Sequence, residues 1–207
     1  MQTHGTGNLF VVAAPSGTGK TTLVHALIKV LPNVAISISH TTRPKRSSEI
    51  NHVHYHFVDD DTFQSMVNQQ DFLEHATIFG CHYGTSKSWV QQTLSKGKDV
   101  ILEIDWQGQQ QIKRLIPETI SIFILPPSRQ DLQARLSRRN QDHPEMLQKR
   151  LADAREATKH LHEFDYIVVN DYFEQAVTDL THIVATSRLS EKNQSIKLTL
   201  LINELLA

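Results

Sequence analysis

One eight-residue stretch limits the fold of this chain more than any other. Ala14-Pro15-Ser16-Gly17-Thr18-Gly19-Lys20-Thr21 follows the apolar run Leu9-Phe10-Val11-Val12-Ala13 and opens an apolar-periodic segment from Leu23 to Leu31. That order reads as strand, glycine-containing loop, helix, the setting in which such a loop becomes a phosphate cradle. The first backbone N–H groups of the helix have no intrahelical acceptors, and the helix dipole adds partial positive charge there. In that setting Lys20 reaches the β- and γ-phosphates of a nucleotide and the Thr21 hydroxyl ligates Mg2+. The common pattern begins with glycine where this chain has Ala14, a residue with fewer backbone options.

The surrounding elements alternate. Strands are expected at 9–13, 35–39, 53–58, 99–104, 120–125 and 165–169, and helices at 20–31, 60–69, 86–96, 108–115, 128–139, 145–160, 172–187 and 193–206. Val100-Ile101-Leu102 and Ile122-Phe123-Ile124-Leu125 are unbroken apolar runs, as suits strands covered on both faces of a parallel sheet. The fold class is therefore α/β, with a central parallel sheet flanked by helices. Two regions break the rhythm: a strand-rich stretch from Ile36 to Thr85, and a basic helical one from Pro126 to His162. Ligands bind beyond the carboxyl ends of such strands, so both regions are placed to fold over the loop at 14–21.

At 207 residues the chain has the size of one domain with a well-buried core. Its net charge of −1 supplies no general field for nucleic acid or an acidic membrane. Cys81 is the only cysteine, which rules out a disulfide within the chain and suits a reducing compartment. No apolar run approaches the ~18 residues of a membrane span, and the polar start, Met1 to Asn8, has no signal-peptide pattern. A cytoplasmic protein is expected.

A second constellation is Ser39-His40-Thr41-Thr42-Arg43-Pro44-Lys45-Arg46. Pro44 pushes Arg43 towards extended or polyproline geometry, in which Arg43 and Arg46 share a face. Two guanidiniums so placed grip a phosphate; a solvated basic loop is the other reading of this run.

With these residues in view, the chain resembles the guanylate kinase family from about residue 8 to 206. Tyr83-Gly84-Thr85, Ile104-Asp105-Trp106-Gln107-Gly108 and Ile167-Val168-Val169-Asn170-Asp171 follow the loop and the Arg43 segment in that family's order and spacing. The resemblance implies a P-loop NTPase-type core (1–35, 87–126 and 163–207), a β-containing GMP-binding insertion (36–86) and a helical lid (127–162). It implies transfer of the γ-phosphoryl of ATP to GMP with Mg2+. Ser39, Arg43, Arg46, Tyr55 and Tyr83 align with positions that hold the GMP phosphate or line its pocket; Glu74, Thr85 and Asp105 align with positions that read guanine. Guanine offers N1–H and N2–H donors beside the O6 acceptor, which suits carboxylates and a hydroxyl. Adenine would leave buried carboxylates unpaired, at about 1–3 kcal/mol per group. ATP is expected on Ala14, Pro15, Ser16, Gly17, Thr18, Gly19, Lys20, Thr21 and Thr22, with Asn170 near the adenine. Glu103 lies two residues before Asp105 on the same side of its strand; a Mg2+ role is left open for both.

The helical stretch from Arg129 to Lys159 carries eight Arg or Lys against five Asp or Glu. Arg135 and Arg139 are one turn apart on one face, and a turn near Pro144 brings Arg150 back towards them. By resemblance all three are lid residues that reach the phosphates, with Lys20 as the fourth catalytic group. The acceptor phosphate is already an anion, so positioning and charge neutralisation suffice without a strong base. The expected partners are ATP and GMP and, at most, further copies of the chain; nucleic acid and membranes are not expected. A phosphoprotein-binding module of the same fold would lack Lys20 and the lid arginines. A same-fold kinase for another small phosphate, such as ribose 1,5-bisphosphate, would lack Glu74 and Asp105.

Ser48, His52 and Asn140 stand where the family often has glycine. His52, His54 and His56 alternate and would share a strand face, polar and solvent-facing, with metal binding the lesser reading. The C-terminal run Ile196 to Ile202 is expected to dock on the core as part of one helix.

Overall fold

The structure, a computed structural model, describes residues 7–139 and 144–207. Strand β1 (Leu9–Ala13), buried along its whole length, is the middle of a five-stranded parallel sheet. Its neighbours are β7 (Asp99–Glu103) and β8 (Ile120–Leu125), with β2 (Val34–Ile36) and β9 (Tyr166–Val169) at the edges, in the order β2-β7-β1-β8-β9. The order reverses at β1, which opens a crevice at the carboxyl end of that strand.

The two faces of β1 feed different layers, because successive side chains point to opposite sides. Phe10 and Val12 pack with Leu23, Val24 and Leu27 of α1 (Lys20–Val30) and with Ala176, Leu180 and Val184 of α7 (Phe173–Ser187). Leu9 and Val11 pack with Val90 of α3 (Lys87–Ser95) and Ile112 of α4 (Trp106–Leu115). Each such aliphatic side chain withdrawn from water contributes about 1.5–3 kcal/mol, so these layers hold the loop after β1 on a stiff base.

A second sheet has the order β4-β3-β6-β5, built from β3 (His40–Thr41), β4 (His56–Phe57), β5 (Phe72–Ile78) and β6 (Cys81–Ser86). Helix α2 (Asp60–Asn68) lies between β4 and β5; the Asp59 side chain caps it by accepting from Thr62 N at 2.8 Å. Between Phe72 and Glu74 the β5–β6 register shifts. The bulge breaks the usual in–out alternation, so Phe72, Leu73 and Glu74 are all buried in succession. Helices α5 (Arg129–Arg139) and α6 (Pro144–Lys159) share a small core of Leu132, Leu136 and Ala154, backed by Leu147 and Leu151.

Several expectations give way here. The strand expected at 35–39 is two strands in two sheets: the chain leaves the parallel sheet after Ser37 N donates to Ile101 O, and joins the second at His40. Of 53–58 only His56 and Phe57 form a strand. Residues 51–55 make a turn with His52 at φ 66, so His52, His54 and His56 do not line one strand face. The expected C-terminal helix breaks at Leu198 into α8 (Glu191–Lys197) and α9 (Thr199–Leu206). Instead of docking, α9 leaves Leu200, Leu205 and Leu206 exposed. Among the described residues no helix is long and apolar enough to cross a membrane.

Candidate active site

The loop after β1 is shaped by two glycines. Gly17 and Gly19 take φ of 91 and 89, a region that side chains avoid. A Cβ at Gly17 would lie 2.9 Å from Leu136 of α5, and one at Gly19 would lie 2.7 Å from the Asn170 amide nitrogen. Ala14 takes no positive φ, which is why this first position tolerates a side chain. Pro15 and Thr18 are buried, Ser16, Thr21 and Thr22 exposed. Thr18 Oγ1 donates to Pro15 O at 3.0 Å and locks the turn. Buried Asn170 donates Nδ2 to Thr18 O at 2.6 Å, so the residue expected near adenine also braces the loop.

Lys20 begins α1 and donates Nζ to Ile104 O at 3.2 Å. Burial pulls its ammonium below the ordinary lysine value, against the opposing fields of Glu103, Asp105 and Glu74. Thr21 Oγ1 donates to Glu103 Oε2 at 2.8 Å. A hydroxyl and a carboxylate thus stand side by side at the carboxyl end of β7, a pair of hard oxygen donors of the kind Mg2+ takes.

Glu74 is 4% exposed and accepts from Thr85 Oγ1 at 2.6 Å. Burial, helped by Asp105 nearby, raises its pKa to about 7, against the pull of Thr85 and Lys20. The missing side chain of Gly108 makes the room: a Cβ there would lie 2.5 Å from Glu74 Oε2. Asp105 caps α4, accepting from Gly108 N at 3.0 Å through Oδ1 and from Gln107 Nε2 at 3.0 Å through Oδ2. Glu74, Thr85, Asp105 and Lys20 therefore converge, although they come from both sheets and from the loop.

Arg43 and Arg46 both lie towards Glu49, which the turn at 46–49 folds back on the segment. Residues 43–49 turn around Glu49, which takes Arg43 Nη2 at 2.7 Å on Oε1 and the Arg46 backbone N at 2.8 Å on Oε2. Arg46 Nη1 lies 3.9 Å from the same carboxylate and stays mostly in water. The Arg43 guanidinium lies 5.4 Å from the centre of the Tyr55 ring, and Tyr55 meets Tyr83 edge-on at 6.0 Å. Arg43, Tyr55 and Tyr83 form one group; Ser39 is held beside the strand that follows Tyr55, its carbonyl accepting from His56 N at 2.9 Å. Glu49 was not singled out in the sequence. The available signal was an acid three residues after Arg46.

On the other side of the loop, Arg135 donates Nη1 to Thr18 O at 3.3 Å and Nη2 to Asn170 O at 3.1 Å. A cleft of about 330 Å³ opens there between Gly17, Gly19, Thr22, Arg138, Asn170 and Phe173. Phe173 is a lining residue that the sequence motifs do not mark. Arg150 is half-buried on α6. Arg139 ends α5, but its side chain, like Asn140, lies outside the described residues.

A family model for guanylate kinase matches residues 6–187. A guanylate kinase from Coxiella burnetii is 54% identical over 198 residues, 96% of each chain. One from Alkalilimnicola ehrlichii is 53% identical over 182 residues, 88% of this chain and 90% of its own. The crystal structure of guanylate kinase from Anaplasma phagocytophilum superposes with a TM-score of 0.77 at 29% identity, covering 90% of this chain and 89% of that one. The loop at 14–21, the convergence on Glu74 and the similarity over nearly the whole length agree: this chain belongs to the guanylate kinase family.

Proposed function

We propose that the chain transfers the γ-phosphoryl group of ATP to the phosphate of GMP, giving ADP and GDP. The observation that carries the reading is that Lys20 donates Nζ to the carbonyl of Ile104, the residue before Asp105, while Asp105 and the buried Glu74 both meet Gly108: the lysine of the phosphate loop and the two acids stand together. In this reading residues 36–86 are the GMP-binding insertion, 127–162 the lid, and the rest the core. Glu74, Thr85 and Asp105 take the guanine edge; Arg43, Tyr55 and Tyr83, with Arg46 and Ser39 beside them, take the GMP phosphate. The loop amides from Ala14 to Thr22 cradle the ATP phosphates, and the cleft beside Asn170 and Phe173 takes the adenosine end.

A phosphate oxygen of GMP attacks the γ-phosphorus as the bond to the β-bridging oxygen breaks, and ADP leaves. The chain's work is to align these atoms and neutralise their charge. Lys20 serves the β- and γ-phosphates, while Arg135, Arg139 and Arg150 serve them from the lid. Arg135 starts from backbone carbonyls, neutral acceptors that it exchanges for anionic ones at little cost. Closure of the lid excludes water that would otherwise take the γ-phosphoryl group. Thr21 and Glu103 are the residues that would hold Mg2+, with Asp105 close by; the ion when bound neutralises charge between the β- and γ-phosphates. The single cysteine, Cys81, fits work in a reducing cytoplasm.

Glu74→Gln tests the guanine contact. It replaces a double acceptor with a group that presents a donor, so the KM for GMP should rise about tenfold or more while the KM for ATP changes less than about twofold. Equal changes in both constants would remove Glu74 from the guanine edge.

A further inference from the structure

The tip of the β5–β6 hairpin is built against its own stereochemistry. Ile78 pairs with Cys81, leaving the two-residue loop Phe79-Gly80 with φ of 51 and 77. Two positive φ values in such a loop suit Asn-Gly, and a bulky side chain at the first position is costly. The ring gains no core burial in return, since Phe79 is 44% exposed. What it meets is the other arm of the molecule: Lys149 Nζ of α6 lies 5.4 Å from the ring centre, within the range of a cation–π contact. Lys149 also acts on Asp153, one turn further along α6, and it immediately precedes Arg150.

We infer that Phe79 and Lys149 form a clasp between the acceptor-binding insertion and the lid, so that closing one arm positions the other. Both are positioning residues. The clasp rests on the proposed roles of the two arms, and it carries Arg150 towards the phosphates by holding the turn of α6 on which Arg150 sits. The hairpin tip takes its unfavourable backbone at the residue whose side chain reaches α6.

Phe79→Asn separates the clasp from mere folding, because its effects run in opposite directions. Asn suits the left-handed backbone, so the melting midpoint should rise by about 2 °C. At the same time kcat/KM for GMP should fall about two- to fivefold, the range expected for an exposed cation–π contact. Phe79→Tyr, which keeps a ring, should hold wild-type kcat/KM. Lys149→Met should match the loss of Phe79→Asn without the rise in melting midpoint, and the double variant should lose no more than either single one. Unchanged kcat/KM in Phe79→Asn, additive losses in the double variant, or a loss that tracks a lower melting midpoint would each overturn the clasp. GMP phosphorylation by the wild type in the same assay bears on the function alone; the ratios of the variants to it bear on the clasp.

Discussion

Glu49 decides what Arg43 can do before any nucleotide arrives. A guanidinium beside the rings of Tyr55 and Phe57 has many directions to point, and the 2.7 Å bond to Glu49, with Nη1 on Pro44 O at 2.8 Å, selects one. Arg43 in turn holds the Glu49 carboxyl below its ordinary value, with the Arg46 backbone N–H adding to the effect. Glu49→Gln keeps the shape and removes the charge. Charge-assisted hydrogen bonds contribute about 1.5–3 kcal/mol, so the KM for GMP should rise about tenfold with the KM for ATP little changed. A lower KM for GMP would mean that Glu49 competes with the substrate phosphate. At Glu74 the raised pKa makes a second prediction. If Glu74 takes the guanine edge as proposed, the guanine N–H donors favour its charged form, so GMP binding should lower the Glu74 pKa and release a proton. Starting from a pKa of about 7, about half a proton per site should leave at pH 7. Calorimetry in buffers of different ionisation enthalpy would detect it, and Glu74→Gln should abolish it. A release that survives in Glu74→Gln belongs to the GMP phosphate.

At the scale of elements, Asp99 ties the start of β7 to the end of α7. Its Oδ1 accepts from Asn8 N at 2.7 Å, and its Oδ2 takes Arg188 Nε at 2.7 Å. The Asp99 side chain is 5% exposed while Arg188 is only partly covered. Asp99→Ala should therefore cost about 3 kcal/mol of unfolding free energy, near the low end for breaking a buried pair, as read from urea denaturation. A cost under ~1 kcal/mol would mean that the pair behaves as a surface contact. The elements that the sequence exposes best are those whose burial matches a simple period. Strands β1 and β8 are apolar at nearly every position, and β7 through its middle three, because helices cover both faces. The β5–β6 hairpin was legible only as strand-rich, because the bulge at Phe72–Glu74 buries three consecutive residues. The join between β2 and β3 was illegible for another reason: an extended chain looks the same whichever sheet it pairs with. The site followed the same division. The loop at 14–21 depends on local order and was readable directly, whereas Glu49 acts through a turn that the Pro44 rule does not foresee.

For the whole molecule, the half-buried His40 and the buried Glu74 pull stability in opposite directions. Burial lowers the His40 pKa from 6.5 to about 4, with His56 and His52 adding repulsion and Asp71 opposing. The unfolded chain then binds the extra proton first, so this group's contribution is lost as the pH falls from 6.5 towards 4. Glu74 does the reverse: its pKa is raised from 4.5 to about 7, and its contribution is lost as the pH rises through that window. The two shifts are similar in size, so between pH 4.5 and 6.5 they largely cancel. Removing one should reveal the other. In His40→Phe, unfolding free energy should fall as the pH rises from 4.5 to 6.5 relative to wild type; in Glu74→Gln it should fall as the pH drops. Denaturation at several pH values checks both, and parallel curves for all three proteins would remove the linkage.

The central claim is that a loop built for ATP phosphates and a pocket built for guanine act together on one acceptor. It is tested most directly by coupled ADP release from the purified protein with ATP and Mg2+, comparing GMP with AMP, CMP, UMP and ribose 1,5-bisphosphate. The account predicts strong turnover with GMP alone. Turnover with ribose 1,5-bisphosphate or AMP at a comparable rate, or none with GMP despite retained GMP binding, would contradict it.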